Sequence, residues 1–484
     1  LPLKNYTCTL SIKFLNVASS IILRQATFKN KFDRALAILM MRISFFTLGC
    51  RLNQSETAVL EGLARDRGLQ VVNFNLPADV TVINSCTVTE RSDKDARKAI
   101  HRAVRINPAV RIAIIGCQAQ VQKEKLLALP NVSWVVGTAK KMELLDIIMS
   151  GIDRRELNAL SGSRPQTPDD RRLVIAPGIR RRVFSLPLTK EAGSRTRANL
   201  KIQDGCDHFC AYCEIPFARG RSRSRAFDNL MAEARALAAA GHKEIVLTGV
   251  NVAAYSERGN DLIEVVKSIE TIAGIERLRI SSIEDLHLSH ELARFMRPPH
   301  KLCRFLHIPV QSGCDRILKR MGRKYSTKEF ESLVHRLVRD VPGITIGTDV
   351  IVGFPGETDK DFENTQRFLS DLPVHYCHVF SYSRRNKARS CKFKGEVPEK
   401  VIFQRSRVLR ALSDEKRKDF MQDLLGTSQR VLFEQIKNNF WFGHTDNYVT
   451  IKTSSELNLV NTFSDVVPVK IEGHSLVARM CSRG

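Results

Sequence analysis

Long apolar runs are missing from this 484-residue chain: none approaches the ~18 residues of a membrane-spanning helix, so no membrane partner is expected. Acidic side chains are in short supply, 51 Asp plus Glu against 76 Lys plus Arg, which leaves a formal charge of +25. That imbalance points to a polyanionic partner, nucleic acid first. A disulfide framework is also missing. The twelve cysteines are concentrated in metal-like contexts within a long chain, which favours a reducing, cytoplasmic location. A 43% hydrophobic content supports ordinary globular cores, and the length suits two to four domains.

The chain is organised around Cys206-Asp207-His208-Phe209-Cys210-Ala211-Tyr212-Cys213, three thiols at C-x3-C-x2-C spacing. A fourth cysteine is absent from the run. Closely spaced thiolates suit a soft metal centre, and a cluster that only carries electrons takes four cysteines. Three leave one iron open, as a catalytic zinc leaves one position open. A structural zinc site using His208 is the rival, but that histidine falls between two proposed ligands and makes a strained chelate. With its lead-in Leu200-Lys201-Ile202-Gln203-Asp204-Gly205, the run resembles the cluster motif of radical S-adenosylmethionine enzymes. The resemblance implies a 4Fe-4S cluster whose open iron binds S-adenosylmethionine and cleaves it to a 5′-deoxyadenosyl radical, the protein supplying position and dryness.

Residues 1–40 carry six basic residues and one acid. They read as an extension or a mis-set start, because the fold pattern begins at Met41. Residues 41–150 alternate strand and helix: strands at 43–48, 80–84, 111–115 and 132–136, helices at 55–67, 90–106, 121–129 and 141–149. This predicts a parallel sheet with covered faces. Three strands run straight into a cysteine, at Leu48-Gly49-Cys50, Asn84-Ser85-Cys86 and Gly116-Cys117. Parallel sheets gather ligands at the carboxyl ends of their strands, so Cys50, Cys86 and Cys117 are expected to converge, with Gly49 and Gly116 permitting close backbone approach. Each cysteine taken alone is equally a small buried residue. The stretches Thr47-Leu48-Gly49-Cys50-Arg51-Leu52-Asn53-Gln54, Asn84-Ser85-Cys86-Thr87-Val88-Thr89 and Gly116-Cys117-Gln118-Ala119-Gln120 resemble the N-terminal domain of the methylthiotransferase family. The resemblance implies that these three cysteines hold a second, auxiliary 4Fe-4S cluster.

Residues 151–195 read as a basic Pro/Ser/Arg-rich linker. Residues 196–383 carry six further strand–helix units, with strands at 199–203, 244–247, 277–280, 305–309, 345–350 and 376–380. Six units are too few for an eight-fold barrel; the resemblance implies an open, partial (βα)6 radical-SAM barrel. By the same resemblance, S-adenosylmethionine is met by Tyr212, Gly249, Ser282, Gln311 and Asp349. The arginine-rich stretch after the cluster run offers Arg219, Arg221, Arg223 and Arg225 as RNA contacts. Residues 384–425 form a basic helical bridge, with 13 Lys/Arg against 5 acids over 384–420. Short strands at 430–434, 440–443, 448–452 and 466–472 within 426–484 predict a small β-barrel that resembles the TRAM RNA-binding domain. Phe440, Trp441, Phe442 and Tyr448 are candidates there for stacking on bases or for the core. Cys303, Cys314, Cys377 and Cys391 lack ligand spacing.

The fold class is therefore α/β: a parallel sheet domain, a partial barrel and a terminal β-barrel. Gly49-Cys50-Arg51-Leu52-Asn53-Gln54, Thr87-Val88-Thr89 and Ala218-Arg219-Gly220-Arg221 look most like the branch that methylthiolates N6-threonylcarbamoyladenosine at position 37 of tRNA. That branch implies tRNA, a reducing electron-donor protein and a sulfur source as partners. One S-adenosylmethionine would methylate sulfur on the auxiliary cluster, and a second would yield the radical that removes hydrogen from C2 of the adenine. The rivals are the same chemistry on isopentenyladenosine of tRNA or on a ribosomal-protein aspartate, and a non-catalytic iron–sulfur RNA-binding protein. The sparse Pro/Gly content of residues 383–390 departs from the family pattern on the RNA side.

Overall fold

A computed structural model describes residues 41–150, 172–188 and 196–481. The 1–40 extension and most of the 151–195 segment lie outside these described residues. Among them, no helix is long and apolar enough to cross a membrane.

The first domain is a six-stranded sheet in the order Gln70–Val72, Arg42–Thr47, Val80–Ser85, Arg111–Gly116, Val132–Val136, Leu173–Ile175. Every neighbouring pair is parallel. The central strands are apolar-rich and buried on both faces, with Thr81, Asn84 and Ser85 the buried polar residues of Val80–Ser85, as helices on either side require. Two strands were not expected from the sequence. Gln70–Val72 and Leu173–Ile175 have three residues each, too few for a periodic signal. The second of them lies within the stretch read as linker and pairs with Val132–Val136. The helix expected from residue 55 begins at Arg51, directly after Cys50. The helix expected at 121–129 is two short pieces, Cys117–Val121 and Lys123–Leu127.

All six expected barrel strands form, within a few residues of their expected limits. They make two parallel ladders, Ala198–Lys201, Glu244–Thr248, Arg277–Ile280 and Phe305–His307, Thr345–Val352, Tyr376–Ser381. The ladders meet where Leu278 donates to Lys301 O at 2.9 Å and Cys303 donates to Leu278 O at 2.8 Å. No ladder joins the first strand to the sixth among the described residues, so the barrel is open. The first domain lies against that gap. Its helix Arg51–Asp66 (16 residues) contacts the strand Ala198–Lys201. On the other edge, Glu90 N–H donates to Ser383 Oγ at 3.1 Å and Arg385 pairs with Asp93 at 2.7 Å.

The bridge is the helix Glu399–Gln422, fastened to the sixth strand by Ser413 Oγ, which accepts from Cys377 N at 2.9 Å and donates to Cys377 O at 3.0 Å. The last domain is a closed five-stranded barrel, Gln429–Lys437, Phe440–Thr445, Thr450–Thr453, Ser475–Met480 and Phe463–Glu472. Asn438 and Asn439 both adopt positive φ in its first hairpin, as a tight two-residue turn demands. The strand Ser475–Met480 was not expected. The barrel docks on the (βα)6 unit through a two-pronged Arg304–Asp446 pair at 2.7 and 3.1 Å and through Arg277, which donates to His444 O at 3.0 Å.

Candidate active site

Cys50, Cys86 and Cys117 follow their strands directly, as expected. Gly49 and Gly116 have φ of +89° and +95°, which favours glycine. A Cβ on Gly49 would lie 2.7 Å from Cys86 Cβ, and one on Gly116 would lie 2.5 Å from Asn84 Oδ1, so neither position has room for a side chain. Burial pushes the Cys86 thiol up to about 12, and its neighbours Cys117 and Cys50 add to the rise. The three sulfurs are thus near enough to oppose one another's ionisation.

Behind Cys117 lies a buried knot of charge. Glu56 accepts from Lys141 at 2.5 Å, from Lys201 at 2.7 Å and from Arg219 at 3.1 Å. Asp204 accepts from Lys201 at 2.6 Å and from Arg219 at 3.0 Å. Arg223 also pairs with Asp204, at 3.2 Å, so four cations face two buried carboxylates and positive charge is in excess. Arg219 Nε–H donates to Cys117 Sγ at 3.1 Å. Burial raises the Cys117 thiol while Arg219 and Lys141 pull it back. A thiolate at Cys117 would offset part of this excess, and burying an unbalanced charge is costly. Three mutually repelling thiols with a buried cation behind one of them fit a metal cluster, which takes its ligands deprotonated.

The second triad has a parallel arrangement. Burial pushes Cys206 up to about 11 and raises Cys213, and the neighbouring sulfurs add to both. Buried Arg323 donates to Cys210 Sγ at 3.3 Å and to Glu284 at 3.2 Å, and His208 Nδ1 stands 3.3 Å from the same Glu284. His208 is therefore engaged with Glu284. Three thiols with an arginine donor fit an iron–sulfur cluster, whose potential answers to hydrogen bonds at its sulfurs. Arg219 and Arg323 each direct an N–H at one sulfur of a different triad.

Sequence reasoning also missed Gln203. This buried side chain donates to Gly205 O at 2.7 Å and to Ser222 Oγ at 3.0 Å, while its Oε1 accepts from Val250 N at 3.0 Å and Asn251 N at 2.9 Å. It clamps the lead-in of the cluster loop to the turn carrying Gly249. Gln203→Ala is expected to weaken S-adenosylmethionine binding roughly tenfold, about one lost hydrogen bond, with iron content unchanged. Equilibrium binding alongside iron analysis checks this.

A cavity of about 740 Å³ runs along the lumen of the partial barrel, within the usual range for small-molecule sites. Cys50, Arg51 and Cys86 line it from the first domain, Gly249, Ser282 and Asp349 from the barrel, and His444 and Tyr448 from the last domain. A smaller cavity of about 160 Å³ is lined by Tyr212, Cys213, Gln311 and again Asp349. Both share Val88, Thr89 and Phe380. All five residues expected to meet S-adenosylmethionine therefore face one or other of two adjoining spaces, and each space has a cysteine of a different triad in its wall. Thr87 donates to Glu214 at 3.0 Å, tying the backbone after Cys86 to that after Cys213. Asp349 accepts from His307 Nε2 at 2.8 Å and lies 3.3 Å from His378 Nδ1. Burial would raise this carboxyl, but the two imidazoles outweigh burial and hold it well below the usual carboxylate range.

The arginine stretch needs correction. Arg219 is buried in the charge knot. Arg225 is buried too, paired with Glu233 and donating to Asn229 Oδ1 at 2.8 Å. Arg223 is largely covered and pairs with Asp204 at 3.2 Å. Their acceptors lie elsewhere in the chain, so the stretch folds inward to meet them. Arg221, with a side chain 57% exposed and lying 4.4 Å over the Phe209 ring, is the one of the four open to an RNA. Of the barrel aromatics, Trp441 is in the core, donating to Ser455 O at 3.1 Å, whereas Tyr448 faces the lumen cavity.

Residues 42–137 match the uncharacterized protein family UPF0004 and residues 200–369 match the radical SAM superfamily. The second match contains the Cys206–Cys213 run, and it implies one 4Fe-4S cluster and S-adenosylmethionine. A threonylcarbamoyladenosine tRNA methylthiotransferase MtaB of Aquifex aeolicus is 37% identical, across 85% of this chain and 96% of its own length. The protein of that name in Bacillus subtilis is 35% identical, across 89% and 94%. A tRNA-2-methylthio-N(6)-dimethylallyladenosine synthase of Fervidobacterium nodosum is 31% identical, across 83% and 90%. Among solved structures, the radical S-adenosylmethionine methyltransferase TsrM of Kitasatospora setae, with cobalamin and a [4Fe-4S] cluster bound, shares the fold with a TM-score of 0.50 and 16% identity, covering 72% of this chain and 77% of that one. Two domain matches on the two sulfur-bearing units, and relatives aligned almost end to end, establish that the chain belongs to the MtaB-like family of radical S-adenosylmethionine methylthiotransferases.

Proposed function

We propose that this enzyme installs a 2-methylthio group on N6-threonylcarbamoyladenosine at position 37 of tRNA. The observation that carries the reading is the lumen cavity, which has Cys50 and Cys86 in one wall and Gly249, Ser282 and Asp349 in another. A carbon made reactive by hydrogen removal must meet its sulfur donor before anything else, and a shared chamber provides that proximity. In this reading Cys50, Cys86 and Cys117 hold an auxiliary 4Fe-4S cluster, and Cys206, Cys210 and Cys213 hold the cluster that binds S-adenosylmethionine. When bound, these groups supply one-electron reduction, hydrogen-atom removal and a methylated sulfur. The chain's own residues do the rest. Gln203 positions the Gly249 turn, Arg219 and Arg323 donate to the sulfurs of Cys117 and Cys210, and three domains contribute walls to the chamber. An electron-donor protein and a sulfur source complete the partners, and the cytoplasm is the location where tRNA is met.

On the RNA side the reading uses Arg221, the basic helix Glu399–Gln422 and the terminal barrel, a TRAM-like domain over 426–484. Contacts of this kind make binding salt-dependent. Relatives with both substrate names lie in a similar identity range, so the test must read both nucleosides. Nucleoside mass spectrometry of tRNA from a strain lacking the gene is expected to show loss of 2-methylthio-N6-threonylcarbamoyladenosine. Its persistence would overturn the substrate, and loss of the isopentenyl counterpart would reassign it. Anaerobic analysis of the purified enzyme is expected to give near eight irons per chain, two cubes of four.

A further inference from the structure

The N6 substituent of threonylcarbamoyladenosine ends in a carboxylate, whereas an isopentenyl group carries no charge. C2 and N6 flank N1 on one edge of adenine, so that carboxylate hangs from the same edge as the carbon that receives sulfur. A chamber built for this substrate needs a cation beside the sulfur-bearing triad. Among the described residues lining the lumen cavity, Asp349 is the only acid, and it is already engaged by His307 and His378. Arg51 and Arg417 are the two arginines. Arg417 comes from the bridge helix, with Nη1 3.0 Å from His474 Nδ1 and its guanidinium 5.3 Å over the Tyr376 ring.

Arg51 directly follows Cys50. Its Nη2 donates to the Tyr448 hydroxyl at 2.5 Å, and its guanidinium carbon lies 5.2 Å from the centroid of that ring. The tyrosine is itself held from other sides: the Arg279 and Arg197 guanidinium carbons lie 4.7 and 5.3 Å from its ring centroid. The brace fixes the fork while leaving one prong unused, since Arg51 Nη1 is buried with no hydrogen-bond partner in the protein. A buried guanidinium N–H without an acceptor is unfavourable, and a planar fork matches a carboxylate better than any other cation does.

We infer that Arg51, braced by Tyr448, binds the substrate carboxylate and thereby separates threonylcarbamoyl from isopentenyl substituents. The inference rests on the substrate proposed above. A site built to bond a substrate group discriminates strongly against an analogue lacking it.

The test uses the reconstituted full-length enzyme and three anticodon stem-loops, carrying at position 37 threonylcarbamoyladenosine, its methyl ester or isopentenyladenosine. The wild type is expected to bind the acid about 10- to 100-fold more tightly than the ester, the worth of a charge-assisted hydrogen bond. Arg51→Gln is expected to abolish that preference by weakening acid binding far more than ester binding, and Arg51→Lys to restore part of it. If the wild type prefers the acid and Arg51→Gln keeps the full preference, the inference is wrong and the substrate stands. If Arg51→Gln weakens all three RNAs equally, Arg51 is only a latch between domains and the inference is again wrong. A wild type that does not prefer the acid over the ester overturns the inference, and one that binds the isopentenyl RNA most tightly overturns the substrate reading itself.

Discussion

Arg219→Leu is expected to strip iron from the first triad and to lower the thermal midpoint of the apoprotein. The guanidinium donates to Asn53 Oδ1 at 2.6 Å, to both oxygens of Glu56, to Asp204 and to Cys117 Sγ. These partners come from both sides of the seam between the first two domains. Removing one member of a buried ion-pair group costs about 3–5 kcal/mol, because the remaining charges lose donors they cannot replace from water. The same loss leaves Cys117 harder to ionise, since burial already raises that thiol and Arg219 is the largest influence opposing it. Arg219→Lys keeps the charge and gives up the fork, so it should fall between the two. Iron per chain and a melting curve of the apoprotein check this. Full iron with an unshifted midpoint for Arg219→Leu would overturn the role given to the knot.

Cys213→Ala and Cys117→Ala are expected to separate two capacities of the enzyme, each at the cost of about four irons. Cys213→Ala should abolish reductive cleavage of S-adenosylmethionine, and with it all methylthio product. Cys117→Ala should keep that cleavage and still form no methylthio product. The expectation rests on the triads being carried by different strand ends in different domains, and on a link between them, Thr87 to Glu214, that involves none of the six sulfurs. Assays of 5′-deoxyadenosine and of modified nucleoside, side by side with iron analysis, give the answer. A Cys117→Ala chain that loses every iron and all cleavage would mean that the two centres do not stand independently.

Much of this was legible because buried strands leave plain marks. The strands Val80–Ser85 and Arg111–Gly116 are built around runs of Val, Ile and Ala, are buried on both faces, and are each followed by a cysteine. The six barrel strands show as short apolar-rich runs between helical periods, and sulfur spacing did the rest. The three-residue strands left no mark because they complete less than two periods of alternation. The arginine stretch misled for a different reason: composition does not distinguish a cation facing solvent from one facing a distant carboxylate. The missing signal was Glu56. It lies four residues from Leu52 and four from Leu60, so it sits on the apolar stripe of the helix Arg51–Asp66. A carboxylate there calls for a buried cation, although nothing in the helix says which one. Arg51 and Tyr448, 397 positions apart in the chain, meet only because the first domain covers the open side of the barrel.

Five ionic side chains, Glu56 and Lys141 from one domain and Lys201, Asp204 and Arg219 from the next, share a seam that water does not reach. Recombination between relatives at this border is therefore constrained. A chimera inheriting Lys201 and Arg219 without Glu56 would leave two buried cations sharing Asp204 alone. The first domain and the barrel are in this sense a single heritable piece, exchangeable only as a set.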